Sequence, residues 1–516
     1  MKKNYLIIFI LTLGMISCNE SYLDIFPDDK ITSENFWTTS DDASLALMGI
    51  YNVLRSNNVY GYGGGWDACT PNAFQWAHWE GKQQQIGSGE VHSGIGGVVS
   101  GRWQYCYRGI NRANYFLENI DNVTSLSESE KKQMIGEVYF LRGVFYALMA
   151  DTYGGVPIIT KTLTTEEARS VSRASLEETW QQVHSDYDEA ISRLNESAPQ
   201  KGRADLGAAL GMKMRAYLYQ NNYPKVLEYV EKIEALDKYS LFPSYHGLFQ
   251  LENEGNSETV FALQFLDGPI SQGSIFDRYW QPQNLKFGID GSNSVAPIQD
   301  LVDAYETVDG SPIQSSDDDY NLAQFENRDP RLDFTILRPG AEFQGQKYPE
   351  EIKNHTGQRV GYAIRKYTIE TQVVKQTESP LDYMILRYGD VLMSKAEALI
   401  ETNTDIDEAI RILNRFRTER EDVKITPLPL GMSQAEAREA LRKERRIEFA
   451  LEGIYWSDIK RWEIGPEIYP VEVRGPDGDL IHTKFPNGYD LDKDNLIPIP
   501  DSERSLNPNL EQNPGH

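Results

Sequence analysis

ADLGAALGMKMRAYLYQNNYPKVLEYVEKIEAL, residues 204–236, is the stretch whose reading decides the fold. Ala208, Gly211 and Tyr217 lie in a first helix, Asn221-Asn222-Tyr223-Pro224 forms a turn, and Leu227, Val230 and Ile233 mark a second helix. Small residues where the helices cross let the two backbones approach, so the stretch predicts an antiparallel helical pair. Asp390 to Arg417 repeats the arrangement, with Ala396, Glu397, Ala398 and Leu399 before a turn and Ala409, Leu413 and Phe416 after it. Residues 128–150 with 175–194 read as a diverged copy.

Pairs of this tetratricopeptide type bury their apolar faces only by stacking, which implies a continuous curved scaffold and a mainly α protein. Further helices surround them. Leu47, Ile50, Tyr51 and Leu54 recur behind Ser40 and Asp41, read as a cap with an acidic first turn. Trp103, Cys106, Tyr107, Ile110, Phe116, Leu117 and Ile120 share one face, and Met134, Val138, Leu141, Phe145 and Leu148 another, stopped by Tyr153-Gly154-Gly155-Val156-Pro157. Leu176, Trp180, Val183, Tyr187 and Leu194 follow. The scaffold is thus expected mainly at 40–55, 103–240 and 382–463. Loop-rich segments occupy about 56–100, 266–360 and 464–500; structureless stretches of that length are usually functional. Thr259 to Phe265 reads as a short strand.

The chain opens with Lys2 and Lys3, an apolar run from Tyr5 to Ile16, and Met15-Ile16-Ser17-Cys18. This is the layout of a bacterial export signal, residues 1–17, ending in a lipobox. The run is shorter than the roughly 20 residues a membrane-spanning helix needs, so cleavage and acylation of Cys18 are expected, with 18–516 as a single body. Formal charge is −26, with 51 basic against 77 acidic residues, which makes phosphate backbones poor partners and argues against nucleic acid. Cys69 and Cys106 are the remaining cysteines, too few for a disulfide scaffold or a cysteine zinc site; they are open to one disulfide or to buried thiols.

A family resemblance emerges from motifs in order along nearly the whole chain. Tyr22-Leu23-Asp24 with Pro27, Phe36-Trp37, Gly49-Ile50-Tyr51, Asn111-Arg112-Ala113-Asn114, and Leu141-Arg142-Gly143 through Pro157 come first. Asp329-Pro330-Arg331-Leu332, Leu386-Arg387-Tyr388, Glu444-Arg445-Arg446-Ile447-Glu448-Phe449, Trp456 with Asp458 and Arg461-Trp462 follow, and Asn507 to Gly515 closes the chain. Together they resemble the SusD/RagB-type outer-membrane lipoproteins of Bacteroidetes nutrient-uptake systems. The resemblance implies a SusD-like fold and a non-catalytic, surface-exposed protein that captures oligosaccharides or polysaccharides. It also implies attachment to the outer membrane through its lipid, facing the cell exterior, with a SusC-like TonB-dependent transporter as partner. Peptides are an alternative cargo in the same architecture. A glycoside hydrolase is a third reading, for which Asp67, Glu80, Asp267 and Asp277 would supply carboxylates.

A pyranose offers apolar C–H faces and a rim of hydroxyls, so its sites pair flat aromatics with planar hydrogen-bonding side chains. Two loops have that makeup: one carries Trp66, Asn72, Gln75, Trp76 and Trp79, the other Arg278, Tyr279 and Trp280. These eight are the candidate ligand residues, with packing onto the scaffold as the competing role of each loop tryptophan. Trp103 and Trp180, on helical stripes, are expected in the core. The glycines at 61 and 63–65 are read as allowing close backbone approach at the site. Gly61-Tyr62-Gly63-Gly64-Gly65 lacks the Gly-Lys-Ser/Thr ending of a phosphate loop. Asp317-Asp318-Asp319 lacks the alternation of a hand-type calcium loop and reads as solvated, and the seven histidines make no close-spaced pair, so no cofactor, metal site or catalytic residue is assigned. Glu444, Arg445, Arg446 and Glu448 share a helix and are expected to form structural ion pairs.

Overall fold

Asn222 and Pro224 start a helix where the pattern demands one. A computed structural model of the protein describes residues 36–77, 81–266, 272–284, 289–313, 322–348, 352–370 and 379–516. Its longer helices are α1 (Ser40–Leu54), α2 (Val98–Asn119), α3 (Glu128–Tyr153), α4 (Leu176–Ile191), α5 (Leu206–Tyr219), α6 (Tyr223–Glu234), α7 (Tyr388–Glu401), α8 (Ile406–Thr418), α9 (Gln434–Glu448) and α10 (Tyr455–Arg461). Asn222 accepts a hydrogen bond from the Lys225 amide, Pro224 sits in the first turn of α6, and Asn221 turns the chain with φ of 53°. Asp205 caps α5 through the Ala208 amide at 2.9 Å. Ser127 with Glu130, Ser175 with Glu178 and Ser433 with Glu436 form capping boxes on α3, α4 and α9. The cap of α1 is Thr39 rather than Ser40: its hydroxyl accepts from the Asp42 amide while the Asp42 carboxylate accepts the Thr39 amide at 2.8 Å. The Thr-x-x-Asp reciprocity outweighs the single oxygen that Ser40 offers.

α3 packs on α4, α5 on α6 and α7 on α8, and each pair lies against the next; α6 rests directly on α7 although residues 235–387 intervene in sequence. The helical stack is therefore continuous in space and interrupted in the chain. Met214, Leu218, Val226, Val230 and Ile233 are all but fully enclosed in it, each worth roughly 1.5–3 kcal/mol of transfer free energy. Strands β2 (Thr259–Leu263) and β4 (Tyr383–Arg387) begin and end the excursion and pair antiparallel, Leu263 opposite Tyr383, beneath α5. A Cβ on Gly211 would lie 2.4 Å from a Leu386 methyl, so the small residue read from the sequence admits strand to helix there. The other strands used below are β1 (Ala73–Gln75), β3 (Val295–Pro297), β5 (Val471–Arg474) and β6 (Leu480–Lys484); β1 pairs with β3 and β5 with β6. They cover a smaller second core with Phe74, Trp76, Phe343, Tyr348, Val473 and Phe485.

The charged motif of α9 ties excursion to scaffold. The Glu448 carboxylate accepts from Arg420 at 2.7 Å, Arg387 at 3.0 Å and Arg331 at 3.1 Å, all fully enclosed. Arg331 also reaches Glu444 at 2.7 Å and Asp329 at 2.8 Å, and Arg387 bonds Glu258 and Glu452. On the neighbouring face of α9, Arg445 bridges Asp390 at 2.6 Å and Asp458 at 2.9 Å, and Arg461 joins Asp458 to Glu397. Burial works to raise the Glu448 carboxyl, but the charges of Arg420, Arg387 and Arg331 outweigh it and hold the group down at about 2; Glu452 and Glu397 are lowered for the same reason. A folded pKa below the ordinary 4.5 means that this contribution is complete above about pH 4.5 and is lost as pH falls toward 2. Urea unfolding at stepped pH should show stability dropping across that window, with a shallower drop in Glu448→Gln. Equal slopes in the two proteins would remove the network as the cause.

Trp103 and Trp180 are buried as expected. Cys69 and Cys106 are both free and buried, and enclosure pushes each thiol up to about 12.

Candidate functional site

Backbone hydrogen bonds gather parts of the two aromatic loops at one place. Trp76, next after β1, donates its amide to the Ser294 carbonyl at 2.8 Å; Ser294 donates to Tyr279 at 2.7 Å, Ser292 to Arg278 at 2.6 Å, and His355 to Ser292 at 3.0 Å. Arg278 is exposed and its guanidinium carbon lies 5.5 Å from the centre of the half-buried Tyr279 ring. Tyr279 meets Tyr62 edge to face at 5.6 Å. Gln75 holds that partner: its amide nitrogen donates to the Tyr62 hydroxyl at 3.3 Å, and its oxygen accepts the Gln84 amide at 3.2 Å. A partly open aromatic ring, a guanidinium and the Ser292 and His355 groups in one patch can offer stacking and hydroxyl recognition together.

The tryptophans expected as open platforms are mostly enclosed, and this corrects the sequence reading. Trp280 is fully buried in the short helix Phe276–Trp280, stacked on Phe276 at 4.4 Å with the rings 3° from parallel. Trp66 lies in the 3₁₀ turn Gly63–Cys69, with Trp456 stacked at 5.8 Å on one side and the Arg102 guanidinium 3.5 Å from its ring. Trp76 is 7% exposed and packs edge to face on Phe74 in the second core. Apolar area of this size gains more from closing against the scaffold than from awaiting a ligand. Asn72 is buried too: it donates to Asp67 at 2.6 Å and accepts from Arg446 at 2.9 Å, which leaves it a joint between loop and α9. Gln75 acts through Tyr62, as above. Trp79, Cys18 and Asp317-Asp318-Asp319 lie outside the described residues, as do Glu80 and Asp267.

The glycines serve the same closure. A Cβ on Gly64 would sit 2.0 Å from the Leu451 carbonyl oxygen, so the approach is to the protein's own backbone. Of the carboxylates read for a hydrolase, Asp67 and Asp277 are enclosed, bonded to Asn72 with the Gly453 amide and to Gln281 with the Ile369 amide; burial raises both to about 6. Their folded values exceed the ordinary 3.8, so they act against the α9 network, costing stability as pH rises from about 4 to 6.

One residue the sequence did not flag holds the first loop in place. Lys484, fully buried at the end of β6, donates to the carbonyls of Ala68, Thr70 and Ala73, each at 2.7 Å. Three acceptors fit the three N–H groups of an ammonium, although burial pulls its pKa down to about 7. Its only sequence signal is a lysine at an inward register of a strand whose partner alternates Val471 and Val473 inward.

The model of the SusD family matches residues 257–516. The chain belongs to the SusD family. A second model, described as starch-binding associating with outer membrane, matches residues 21–218. SusD-like protein P25 of Formosa agariphila is 25% identical over 492 residues, 90% of each chain. The structure of a SusD-like carbohydrate-binding protein from Bacteroides fragilis superposes with a TM-score of 0.82 at 27% identity, over 92% of this chain and 100% of that one. A laminarin-binding SusD-like protein shares the fold, with TM-score 0.69 at 22% identity, 93% and 100% covered. The mainly α scaffold expected from the helical pairs and the SusD-like fold implied by the resemblance are both observed.

Proposed function

We propose that this SusD-family protein captures oligosaccharides outside the cell, held to the outer membrane by acyl chains on Cys18, and passes them to a SusC-like TonB-dependent transporter without cleaving them. The observation that carries the reading is family membership over both halves of the chain, together with the 27% identity to a carbohydrate-binding protein of the same fold. The lipobox at Met15 to Cys18 supports the anchor, and among the described residues no helix is long and apolar enough to cross a membrane. Tyr279 and Arg278 are the proposed ligand contacts, with Trp79 from the first loop. Because Trp66, Trp76 and Trp280 are enclosed, loop tryptophans no longer weigh against peptide cargo, and one titration separates the two.

Calorimetric titration with a panel of plant, microbial and host oligosaccharides should give heat for at least one glycan, with no new reducing ends formed. Tyr279→Ala, Arg278→Ala and Trp79→Ala should each weaken that binding at least tenfold. Binding of peptides and no glycan would overturn the sugar reading; glycan binding untouched in all three variants would move the site elsewhere.

A further inference from the structure

A chamber of about 70 Å³ lies between the first aromatic loop and α2, α3, α5 and α10, and none of its walls belongs to the patch described above. Four charged side chains line it, and three of them are paired. Arg215 bonds Asp390 at 2.8 Å; Asp151 accepts from Lys460 and from the Ser457 hydroxyl, each at 2.8 Å; Glu452 accepts from Arg387 at 2.9 Å and Lys366 at 3.0 Å. Arg102, 4% exposed, is the exception. It donates to the Asn58 carbonyl at 3.1 Å, the Thr152 hydroxyl at 3.0 Å and the Val59 carbonyl at 3.3 Å, all neutral, and among the described residues it has no carboxylate partner. A guanidinium has five N–H groups, so two remain. Tyr60 and Tyr219 also line the chamber. Both are half-buried, and among the described residues neither hydroxyl has a hydrogen-bond partner; the charges of Arg102 and Arg215 act on Tyr60, and that of Arg215 on Tyr219. Trp66 borders the same space with an unpartnered indole N–H.

We infer that this chamber is an internal binding site for one small monovalent anion, a halide or a short carboxylate such as formate, held by Arg102 with the hydroxyls of Tyr60 and Tyr219. Water in the space would meet the hydrogen bonds, since room of roughly 10–15 Å³ admits a molecule of it. It would leave the charge of Arg102 uncompensated, however, and buried charges are costly unless paired. The excess is a single positive charge, which selects a monovalent ligand: a dianion would exchange one uncompensated charge for another. The donors fit as well. Two spare N–H groups of Arg102 and two O–H groups supply charge-assisted hydrogen bonds in place of the anion's own water. The wall carboxylates, Asp151 and Glu452, are already covered by Lys460, Arg387 and Lys366, which limits their repulsion.

Such an anion braces the first loop from behind. Arg102 holds the carbonyls of Asn58 and Val59, where that loop begins, and its guanidinium carbon lies 3.5 Å from the centre of the Trp66 ring. An anion on the spare N–H groups fixes the guanidinium in that position, so the loop carrying Tyr62 is tied to α2 by a ligand that is not cargo.

Thermal unfolding of the full chain, titrated with chloride, bromide, formate and acetate against gluconate at constant ionic strength, tests this. The midpoint should rise and saturate with at least one of the four, as a ligand that binds only the folded state requires. Comparison with variants removes general salt effects. Arg102→Gln should abolish the saturating rise. Because Arg102 also holds backbone carbonyls, the deciding variant is Tyr60→Phe with Tyr219→Phe, which removes only the two unpartnered hydroxyls and should raise the half-saturating concentration at least tenfold. Saturation by halides alone or by carboxylates alone would support the site and name its occupant. A halide that saturates should also appear in bromide-soaked crystals as an anomalous peak against Arg102; a peak elsewhere would overturn the inference. So would midpoints that follow gluconate in all four anions, which would leave water in the chamber, or a saturating rise unchanged in the double variant.

Discussion

Glu448→Ala should cost the folded protein roughly 3–5 kcal/mol, because removing one partner of a buried ion pair leaves uncompensated charge in a low-dielectric interior. Here a single carboxylate serves Arg331, Arg387 and Arg420, so three guanidiniums lose an acceptor at once. Arg331 keeps Asp329 and Glu444, and Arg387 keeps Glu258 and Glu452, which limits the loss to the lower end for those two. Among the described residues Arg420 keeps only the longer carboxylate contact, to Glu258 at 3.3 Å, so it carries most of the cost. Urea unfolding should show the midpoint falling with the slope unchanged. Glu448→Gln, which retains an oxygen acceptor, should lose less than alanine. A change under about 1 kcal/mol in Glu448→Ala would mean that water or repacking replaces the carboxylate, and the network would not be what binds 329–331 and 387 to α9.

Lys484→Met should cost roughly 3 kcal/mol or more, since each buried polar group left without a partner costs roughly 1–3 kcal/mol and three carbonyls are stripped together. Methionine keeps the length and apolar stem of lysine, so packing is retained and the loss isolates the hydrogen bonds. The first loop should loosen with it, because Ala68, Thr70 and Ala73 lead directly into β1 and Trp76. Two readouts follow: a lower unfolding midpoint, and faster exchange of amides between Thr70 and Ala77 under conditions where α5 to α8 stay protected. Unchanged exchange in that loop would show that β1 and β3 hold it without the lysine.

The helical pairs were legible because their period is local. Ala208, Gly211, Val230 and Ile233 announce which faces must close, and Asn222-Tyr223-Pro224 announces the turn. The cap of α1 slipped by one residue because a capping box depends on reciprocity between positions 39 and 42, not on the best single residue. The charges of α9 were rightly read as structural, but their partners at 331, 387, 390, 420 and 458 come from regions scattered in the chain. The ligand loops were read least well. Composition says that Trp66, Trp76 and Trp280 are near Asn and Gln; it does not say which way the rings face, and closing them against Trp456, Phe74 and Phe276 gains more than leaving them in water.

By itself, then, the sequence determined a mainly helical, stacked-pair scaffold and the resemblance to its family, since periodicity, turn chemistry and motif order are properties of neighbours in the chain. Only the tertiary structure decided that α6 rests on α7 across the excursion, that one carboxylate on α9 gathers three arginines, that Lys484 clasps a loop over 400 positions away in sequence at 68–73, and which aromatics remain open. Those depend on which distant surfaces meet, and burial free energy, summed over the whole molecule, makes that choice.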